Sequence, residues 1–282
     1  MAKSRIKNIL EHDNPLKFLF SRFLIRTKLC NLIIIKQKNY NLKFHPLPFL
    51  GNLWINPNYK HTANIFFSDY LKSGDNVIDT GANVGAVVLE CANAIGSTGK
   101  IYAIEPHPLI FSFLQENIKL NNLKNSIVFN CALGNKEGFA FLTNKRSDDQ
   151  NAITNENGIK VSIKKIDDLE IHESKINLIV LDAIGYEKFI IEGGSKIFRN
   201  SDCVHFPIIE KFFQNYGYSY NEVFKKLEEF GFQIYEFSTE KTIKLITKNY
   251  QPNENNEITD LLAIRNLSDF LDRTKYTLIN SN

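Results

Sequence analysis

Apolar positions recur with two different periods between residues 76 and 121. Asn76–Asp79 is a short run that predicts a buried strand, and the segment after it has apolar residues every three to four positions up to Gly96, which predicts a helix. Lys100–Ile104 predicts a second strand, and residues 109–121 predict a second helix with Pro108 in its first turn. A strand, a turn, a helix and a strand therefore follow one another along the chain.

The alternation of strands and helices continues through the second half. Further strands are predicted at residues 126–129, 140–142, 159–163, 176–182, 204–210, 232–237 and 261–265, and further helices at residues 189–198 and 221–230. Strands that alternate with helices imply a mainly parallel sheet, so the predicted fold class is α/β. Residues 143–158 are polar and dense in Asn, Asp and Ser, which predicts a long loop of the kind that covers an active site.

A glycine-containing turn joins the first strand to its helix. Gly81 and Gly85 allow the backbone to turn sharply and to present its N–H groups to a ligand at the helix start. The second strand ends in Glu105, about twenty residues beyond the turn, where a carboxylate can accept both hydroxyl groups of a ribose. The combination predicts a nucleoside-binding site, although an ordinary tight connection with a solvated acid at the strand end is the plain structural alternative.

The composition of the turn favours one kind of nucleoside over another. The dinucleotide-binding pattern G-x-G-x-x-G has a glycine where this chain has Asn83, so a pyrophosphate is less well accommodated. Asp79, at the end of the first strand, is also a poor neighbour for phosphate, but it suits a ligand that carries an amino group and a sulfonium charge. S-adenosylmethionine has both. A nicotinamide-dependent oxidoreductase remains as an alternative, because it shares the strand, turn, helix and acid.

Several short motifs follow in a fixed order across residues 70–245. They are Asp-Thr-Gly-Ala-Asn-Val-Gly at 79–85, Tyr-Ala-Ile-Glu-Pro-His-Pro at 102–108, Ala-Leu-Gly at 132–134, Ile-Asp-Asp-Leu at 166–169 and Ile-Val-Leu-Asp-Ala-Ile-Gly-Tyr-Glu at 179–187. In this set the chain resembles the FkbM family of S-adenosylmethionine-dependent methyltransferases. The resemblance implies a Rossmann-like fold with helices on both faces of the sheet, a final antiparallel strand, and S-adenosyl-L-methionine as cofactor.

The cofactor-binding residues are assigned from the turn and from the resemblance. The full set is Asp79, Gly81, Ala82, Asn83, Gly85, Glu105, Pro106, Asn130, Ala132, Leu133 and Asp182. Asp79 is expected to help hold the amino group of the methionine moiety, and Glu105 to bind the ribose. The resemblance implies that Ala132 and Leu133, with Asn130 nearby, line the adenine pocket. An ordinary turn that binds no ligand could have the same three residues, and this is the structural alternative.

Methyl transfer is an in-line displacement, so the protein mainly has to hold the acceptor atom about 3 Å away and exclude water. A hydroxyl acceptor also benefits from a base. Asp182 and Glu210 are the predicted catalytic residues. Glu187 and His205 are further candidates, for which a structural role is the alternative, and His107 is assigned to a helix start. The resemblance points to O-methylation of a hydroxyl group on a saccharide or small-molecule acceptor.

Two positions depart from the family pattern. Val180 stands where the family has a lysine, and Ile184 stands where it has the glutamate of D-x-E-G. Both lie at or just beyond the carboxyl end of a predicted central strand, where open α/β sheets place ligands and chemistry. The acceptor side is thus altered while the cofactor side matches. A catalytically impaired relative that acts as a binding or assembly protein is therefore a second possibility.

Charge is distributed unevenly along the chain. Of the 282 residues, the first 46 carry a net charge of +8 against +3 for the whole chain, which leaves −5 for residues 47–282. An acidic catalytic part is a poor match for nucleic acid, whose binding needs a basic face. No N-P-P-Y or D-P-P-Y segment and no Pro-Cys pair occurs either. Nucleic acid is therefore not expected as a partner.

The basic N-terminal part has two open interpretations. Residues 16–36 are rich in Leu, Ile and Phe but contain too many cations for a membrane span, and they lack the features of a secretory signal. They can form an amphipathic helix on an anionic membrane surface, in which case residues 1–46 make the contact, or a helix that packs on the catalytic domain with its basic face in water. We predict a basic extension over residues 1–65 and a methyltransferase domain over 66–282.

The cysteine pattern provides no sign of a metal site. Cys30, Cys91, Cys131 and Cys203 are far apart and form no C-x-x-C pair, which argues against zinc and against a disulfide framework. No metal is therefore predicted. With 43% apolar residues the chain has ample material for a large core, and a reducing cytoplasm is the expected location, with peripheral membrane contact as an option.

Overall fold

In the computed structural model, a helical N-terminal region is followed by alternating strands and helices. The structure describes residues 14–57, 61–143, 151–154, 158–239, 241–247, 250–252 and 258–279, and for residues 61–64 it describes the backbone only. The helices are α1 (Pro15–Thr27), α2 (Pro48–Ile55), α3 (His61–Tyr70), α4 (Ala86–Ile95), α5 (Pro108–Leu120), α6 (Glu187–Glu192), α7 (Ser195–Arg199), α8 (Glu210–Gln214), α9 (Tyr220–Glu229) and α10 (Leu267–Thr274). The strands are β1 (Ile34–Lys36), β2 (Asn41–Lys43), β3 (Asn76–Asp79), β4 (Lys100–Ile104), β5 (Ser126–Phe129), β6 (Ala132–Leu133), β7 (Gly138–Leu142), β8 (Ile153–Thr154), β9 (Ile159–Lys164), β10 (Ile176–Val180), β11 (Ser201–Ile208), β12 (Gln233–Thr239), β13 (Thr242–Leu245), β14 (Thr259–Ile264) and β15 (Thr277–Ile279).

The main sheet has nine strands in the order β15-β13-β12-β14-β11-β10-β3-β4-β5. Five neighbouring strands run parallel to one another, namely β11, β10, β3, β4 and β5. Strand β14 lies between β11 and β12 and is antiparallel to both. The prediction of an α/β fold with a mainly parallel sheet is confirmed, and β14 is the expected antiparallel strand. It is not the final element, however, because α10 and β15 follow it and β15 pairs with β13.

Helices cover both faces of this sheet. On one face α3, α4 and α10 bury side chains such as Phe66, Val88 and Phe270, and on the other α6, α7 and α9 bury Ile191 and Phe198 among others. Strand β10 is buried at every position, as is typical of a parallel strand that is covered on both sides. The carboxyl ends of the central strands are therefore the part of the sheet where a ligand can reach the polypeptide.

Three predicted elements differ from the observed ones. The strands near residues 140 and 160 form a separate four-stranded sheet of order β6-β9-β7-β8. The single helix predicted over 189–198 is wrong, because the chain breaks into α6 and α7 at Gly193, where a Cβ would lie 2.0 Å from the carbonyl oxygen of Gly134. Part of the loop predicted over 143–158 forms β8, and residues 144–150 and 155–157 of that loop lie outside the described residues.

The N-terminal elements pack against the helices that follow β3 and β4. Leu42 and Leu50 share a buried cluster with Leu89 of α4 and Ile110 of α5. The side-chain oxygen of Asn117 on α5 accepts a hydrogen bond of 2.8 Å from the backbone N–H of Lys43 on β2. Helix α3 crosses the predicted boundary between residues 1–65 and 66–282, and that boundary stays a prediction. Within the described ranges, no helix combines the length and apolar composition that a bilayer-spanning helix needs.

Candidate active site

A cavity of about 590 Å³ opens where the order of the parallel strands reverses, between β3 and β10. In open α/β sheets, ligands bind at this reversal, beyond the carboxyl ends of the strands. The turn after β3 and the loop after β10 both line the cavity, and residues from α2, β6, β11 and β14 complete its wall. The cavity therefore lies at the position that the sequence motifs predict for a nucleoside.

The glycine turn is held tightly against the loop after β10. The backbone N–H of Thr80 donates to the carbonyl oxygen of Val180 at 2.9 Å, and a Cβ on Gly81 would lie only 1.9 Å from the carbonyl oxygen of Asp182. Gly85 has φ +92°, and a Cβ there would approach Leu114 Cδ1 to 2.7 Å. These two glycines are required by close approach and by backbone conformation, respectively. Gly85 shapes the turn and does not itself line the cavity.

Glu105 links the glycine turn to the start of α5. Its Oε2 accepts a hydrogen bond from the N–H of Asn83 at 2.9 Å, and its Oε1 accepts one from the N–H of His107 at 2.8 Å. Glu105 lines the cavity with only 7% of its surface exposed. The carboxylate therefore links these two N–H groups at the wall of the cavity. His107 caps α5 through its Nδ1, in agreement with its assignment to a helix start.

Asp79 is buried at the end of β3 and does not itself line the cavity, whose lining begins with the next residue, Thr80. It is 1% exposed, its Oδ1 lies 3.5 Å from the N–H of Gly81, and its Oδ2 has no hydrogen-bond partner within the described residues. Burial, with smaller contributions from the nearby charges of Asp182 and Glu105, raises the pKa of Asp79 to about 7, against the lowering effect of the Gly81 N–H. A buried carboxylate without full hydrogen bonding is costly, so a cationic group bound nearby would relieve this cost. This environment fits a ligand with an ammonium group.

The remaining predicted cofactor residues occupy two kinds of position. Gly81, Ala82, Asn83, Pro106, Ala132, Leu133 and Asp182 line the cavity. Asn130 does not, because its side-chain amide donates to the carbonyl oxygens of Glu105 and Pro106 at 2.8 and 3.2 Å. Asn130 thus orients the segment after β4. The ligand contacts of all these residues stay predictions.

The loop after β10 combines a polar group with backbone strain. Asp182 lines the cavity, and Ile184 beside it has φ +51°. A β-branched residue in the left-handed region is an outlier, and such strain is found mainly where the surrounding structure enforces it. Gly185 follows with φ +89°, and a Cβ there would lie 2.4 Å from the carbonyl oxygen of Phe212. The position that departs from the family pattern is thus part of the cavity wall.

Glu187 is a second buried acid in the cavity wall. Its Oε1 accepts a hydrogen bond of 2.9 Å from the N–H of Ala183, which stabilises the loop, and its Oε2 has no partner within the described part of the chain. Burial raises the pKa of Glu187 to about 7. One carboxylate oxygen therefore has a structural role, and the other is buried without a hydrogen bond in the described part of the chain.

The prediction of Glu210 as a catalytic residue requires correction. The strand predicted over 204–210 ends at Ile208, and Glu210 is the first residue of α8. Its carboxylate accepts a hydrogen bond of 3.1 Å from the backbone N–H of Tyr220, and it does not line the cavity. Glu210 joins α8 to α9 and is not retained as a catalytic candidate.

His205 on β11 is the most notable polar group on the acceptor side. Its Nε2 lies 3.6 Å from Oδ1 of Asp260, and both residues line the cavity. The ring packs near Phe66 and Phe67, with centroid distances of 5.8 and 5.3 Å. Within the described residues, neither ring nitrogen has a hydrogen-bond partner. Burial lowers the pKa of His205, so its imidazole is neutral near pH 7.

Asp260 is a functional candidate that sequence reasoning missed. It lies 55 positions after His205, on β14, and no local motif marks it. Its place beside the cavity follows from the antiparallel pairing of β14 with β11, in which Asp260 is opposite Pro207. Among the described residues, no group of three or more His, Cys, Asp or Glu side chains is arranged to hold a metal ion.

The fold and site define a Rossmann-like α/β protein with a nucleoside-type cavity at the reversal of its sheet. Residues 79–234 match the family model described as the methyltransferase FkbM domain, which is more than half of the chain. The chain belongs to the FkbM methyltransferase family. A comparison with curated proteins finds no match.

Three solved structures with a similar chain path share little sequence identity with this chain. TYW2 of M. jannaschii, in complex with AdoMet, is 16% identical, with 82% of this chain and 83% of that chain covered and a TM-score of 0.43. Precorrin-6y C5,15-methyltransferase of Geobacter metallireducens is 16% identical, with 73% and 88% covered and a TM-score of 0.42. A SAM-dependent methyltransferase of Aquifex aeolicus is 14% identical, with 72% and 89% covered and a TM-score of 0.44. At these values no activity, substrate or partner is transferred to this chain.

Proposed function

We propose that the protein is an S-adenosylmethionine-dependent methyltransferase that methylates a hydroxyl oxygen of a saccharide or small-molecule acceptor. The cofactor assignment rests on two acidic residues, Glu105 and Asp79, near the point where the order of the parallel strands reverses. Glu105 lines the cavity and holds the glycine turn through two backbone N–H groups, and buried Asp79 lacks a partner for its Oδ2 among the described residues. Membership of a methyltransferase family supports the reaction class.

The cavity offers a distinct place for each part of the cofactor. Glu105 would bind the ribose, Ala132 and Leu133 would contact the adenine, and Asp79 would balance the charge of the amino group. When bound, S-adenosylmethionine supplies an electrophilic methyl group on a sulfonium centre. The protein then has to hold the acceptor oxygen in line with that group and keep water away. Apolar residues of α2 and of the segment after β11 line the opposite wall and serve this exclusion.

His205 is the base that we propose for the acceptor hydroxyl, because it lines the cavity beside Asp260. A neutral imidazole can accept a proton as the oxygen attacks, and the carboxylate of Asp260, 3.6 Å away, stabilises the imidazolium that forms. Asp182, the base assigned from the sequence, also lines the cavity and is more exposed. Its carboxylate can orient the acceptor through a hydrogen bond. Separate substitutions of the two residues distinguish these roles.

Calorimetry tests the cofactor assignment directly. S-adenosylhomocysteine is expected to bind with micromolar affinity and NAD is not, because the turn has Asn83 where a pyrophosphate needs glycine. Glu105→Gln should weaken binding about 30-fold, since an amide has only one acceptor oxygen and its NH2 group would face one of the two backbone N–H groups. Glu170→Gln, at an exposed position, is the control. Tighter binding of NAD would overturn the assignment in favour of an oxidoreductase.

The altered loop after β10 supports one alternative function, that of a cofactor-binding relative without catalytic activity. Ile184 and Val180 replace polar residues of the family pattern at the cavity wall, which favours a relative that binds the cofactor without turnover. Mass spectrometry for methylated products across glycan and small-molecule hydroxyl acceptors separates the two functions. Persistent absence of product despite tight cofactor binding, with activity that appears in Ile184→Glu, would favour the impaired relative.

A further inference from the structure

A group of large apolar side chains lies exposed at the N-terminal end of the described chain. Its members are Leu16, Leu19, Phe20 and Phe23 on α1, with Leu29 and Leu32 just after the helix, and we refer to them as the amphipathic surface. Leu16 is 81% exposed and Leu32 is 83% exposed. Large apolar residues are normally scattered singly over a protein surface, and a contiguous group of them marks an interaction site.

The spacing on α1 places the apolar residues in one stripe. Leu16, Leu19, Phe20 and Phe23 are separated by three or four positions, so at about 100° per residue they share one face of the helix. The side chains buried against the protein are Ser21 and Leu24, on a different face. The orientation is the reverse of an ordinary surface helix, whose apolar stripe faces the core.

Cations border this stripe, and local sequence contains nothing to neutralise them. Arg22 and Arg26 are exposed on α1 beside the stripe, and Lys28, Lys36 and Lys38 follow, also exposed. The chain has no Asp or Glu between Asp13 and Asp69. An exposed apolar stripe with flanking cations is the arrangement of a helix that lies in the interface of an anionic membrane.

We propose that the amphipathic surface docks onto an anionic lipid bilayer. The apolar side chains enter the boundary between headgroups and acyl chains, and Arg22, Arg26 and the following lysines contact lipid phosphate or carboxylate groups. A second copy of the chain is a less suitable occupant, because a symmetric contact would bring the same cations of both copies together. The choice of a bilayer therefore follows from charge complementarity.

The amphipathic surface is connected to the cavity through α2. Lys17 Nζ donates to the carbonyl oxygen of Ile55 at 3.1 Å, and the ring of Phe20 lies 6.1 Å from that of Trp54. Two other residues of α2, Phe49 and Leu53, line the cavity. Docking would thus bring one wall of the cavity close to the membrane. Lipid binding requires no cofactor, so this inference does not depend on the proposed function.

Co-sedimentation of the full-length protein with vesicles tests the proposal. The protein should pellet with phosphatidylcholine vesicles that contain phosphatidylserine, and much less with pure phosphatidylcholine. The double variant Leu16→Ser/Phe23→Ser and the double variant Arg22→Gln/Arg26→Gln should each lower partitioning about tenfold or more. Added salt should reduce the binding of the wild type more than that of the arginine variant.

Matched controls use the same substitutions elsewhere. Phe139→Ser changes an exposed phenylalanine on β7, and Lys225→Gln removes an exposed cation on α9, and neither should alter partitioning. Unfolding midpoints of all variants exclude loss of fold as the cause. Point substitutions are preferable to deletion of residues 1–46, because Leu42 and Phe44 of that segment are fully buried.

Three results would overturn the proposal. In the first, the wild-type protein stays in the supernatant with anionic vesicles. In the second, the amphipathic-surface variants pellet like the wild type. In the third, the wild type binds no vesicles but forms a concentration-dependent dimer, and the substitutions Leu16→Ser/Phe23→Ser abolish that dimer. The last result would assign the surface to a second copy of the chain.

Discussion

The two sides of the cavity are built in different ways. On the cofactor side, the glycine turn, Glu105 and Asn130 lie within about fifty residues of one another. They are joined by hydrogen bonds between backbone and side chains, such as Asn83 N–H to Glu105 Oε2. On the acceptor side, Leu53 of α2, His205 of β11 and Asp260 of β14 come from distant parts of the chain. The cofactor side that we propose is therefore built from residues close together along the chain. The acceptor side that we propose depends on packing between distant elements.

The strongest test of this contrast removes the base from the acceptor side. His205→Gln should lower the rate of methyl transfer about 100-fold or more, with unchanged affinity for S-adenosylhomocysteine, because the imidazole accepts the acceptor proton and does not hold the cofactor. Product formation and calorimetry on the same preparations measure the two quantities. A larger loss in Asp182→Asn than in His205→Gln would move the base to Asp182.

The pH profile shows whether His205 acts together with Asp260. The Asp260 carboxylate raises the pKa of His205, against the lowering effect of burial, which is the larger of the two. Asp260→Asn should therefore move the acidic limb of the kcat/KM profile to lower pH, since the imidazole would stay neutral further into the acidic range. An unmoved limb would show that a different group titrates.

The next test affects the cofactor side through the backbone. Gly81→Ala places a Cβ against the carbonyl oxygen of Asp182 and should lower the free energy of unfolding by about 3 kcal/mol. Gly217→Ala is the control for a glycine without a close neighbour: nothing lies within 4 Å of its Cβ position, and its positive φ of +76° alone should cost only about 1 kcal/mol. Denaturant unfolding measures both, and equal losses would contradict the close approach.

Asp79 predicts a pH dependence of stability with a definite sign. Its folded pKa of about 7 is above the ordinary value of 3.8, so between these values the folded state binds more protons than the unfolded state. Stability of the ligand-free protein should therefore fall as pH rises from about 4 to 7, by at most about 1.4 kcal/mol per unit from this group. Asp79→Asn should flatten this dependence, and an equally steep curve in the variant would exclude Asp79 as its source.

The same group should make cofactor affinity depend on pH in the opposite direction. An ammonium ligand favours the ionised carboxylate, so binding of S-adenosylhomocysteine should tighten by up to about tenfold per unit as pH rises towards 7. Glu187 has a similarly raised pKa, and Glu187→Gln separates its contribution from that of Asp79. A pH-independent dissociation constant in the wild type would contradict the charge pairing.

The smallest expected effect concerns strain on the acceptor side. Ile184 has φ +51°, a conformation that asparagine adopts more readily than a β-branched residue. Ile184→Asn should raise the free energy of unfolding by about 0.5 kcal/mol. Ile258→Asn changes another isoleucine that lines the cavity but has no positive φ, and it should not stabilise the protein. Destabilisation by both substitutions alike would mean that packing of Ile184 outweighs the strain.

The amino-acid sequence by itself determined the α/β class, the strands β3 and β4, and the nucleoside-type turn. These features depend on neighbours along the chain: apolar periodicity, glycines at a turn, and an acid at the next strand end. The sequence also predicted Glu105 at the end of the second strand, whereas its hydrogen bond with Asn83 became visible only with the pairing of β3 and β4.

Only the tertiary structure decided the composition of the acceptor side. The pairing of His205 with Asp260 results from the insertion of β14 between β11 and β12, and the removal of Glu210 from the site results from the early end of β11 at Ile208. Burial of Asp79 and Glu187, which raises both pKa values, likewise depends on packing from several elements. Periodicity encodes which residues are apolar neighbours along one element. It does not encode which distant strands become adjacent, and that adjacency brings together the residues of the acceptor side.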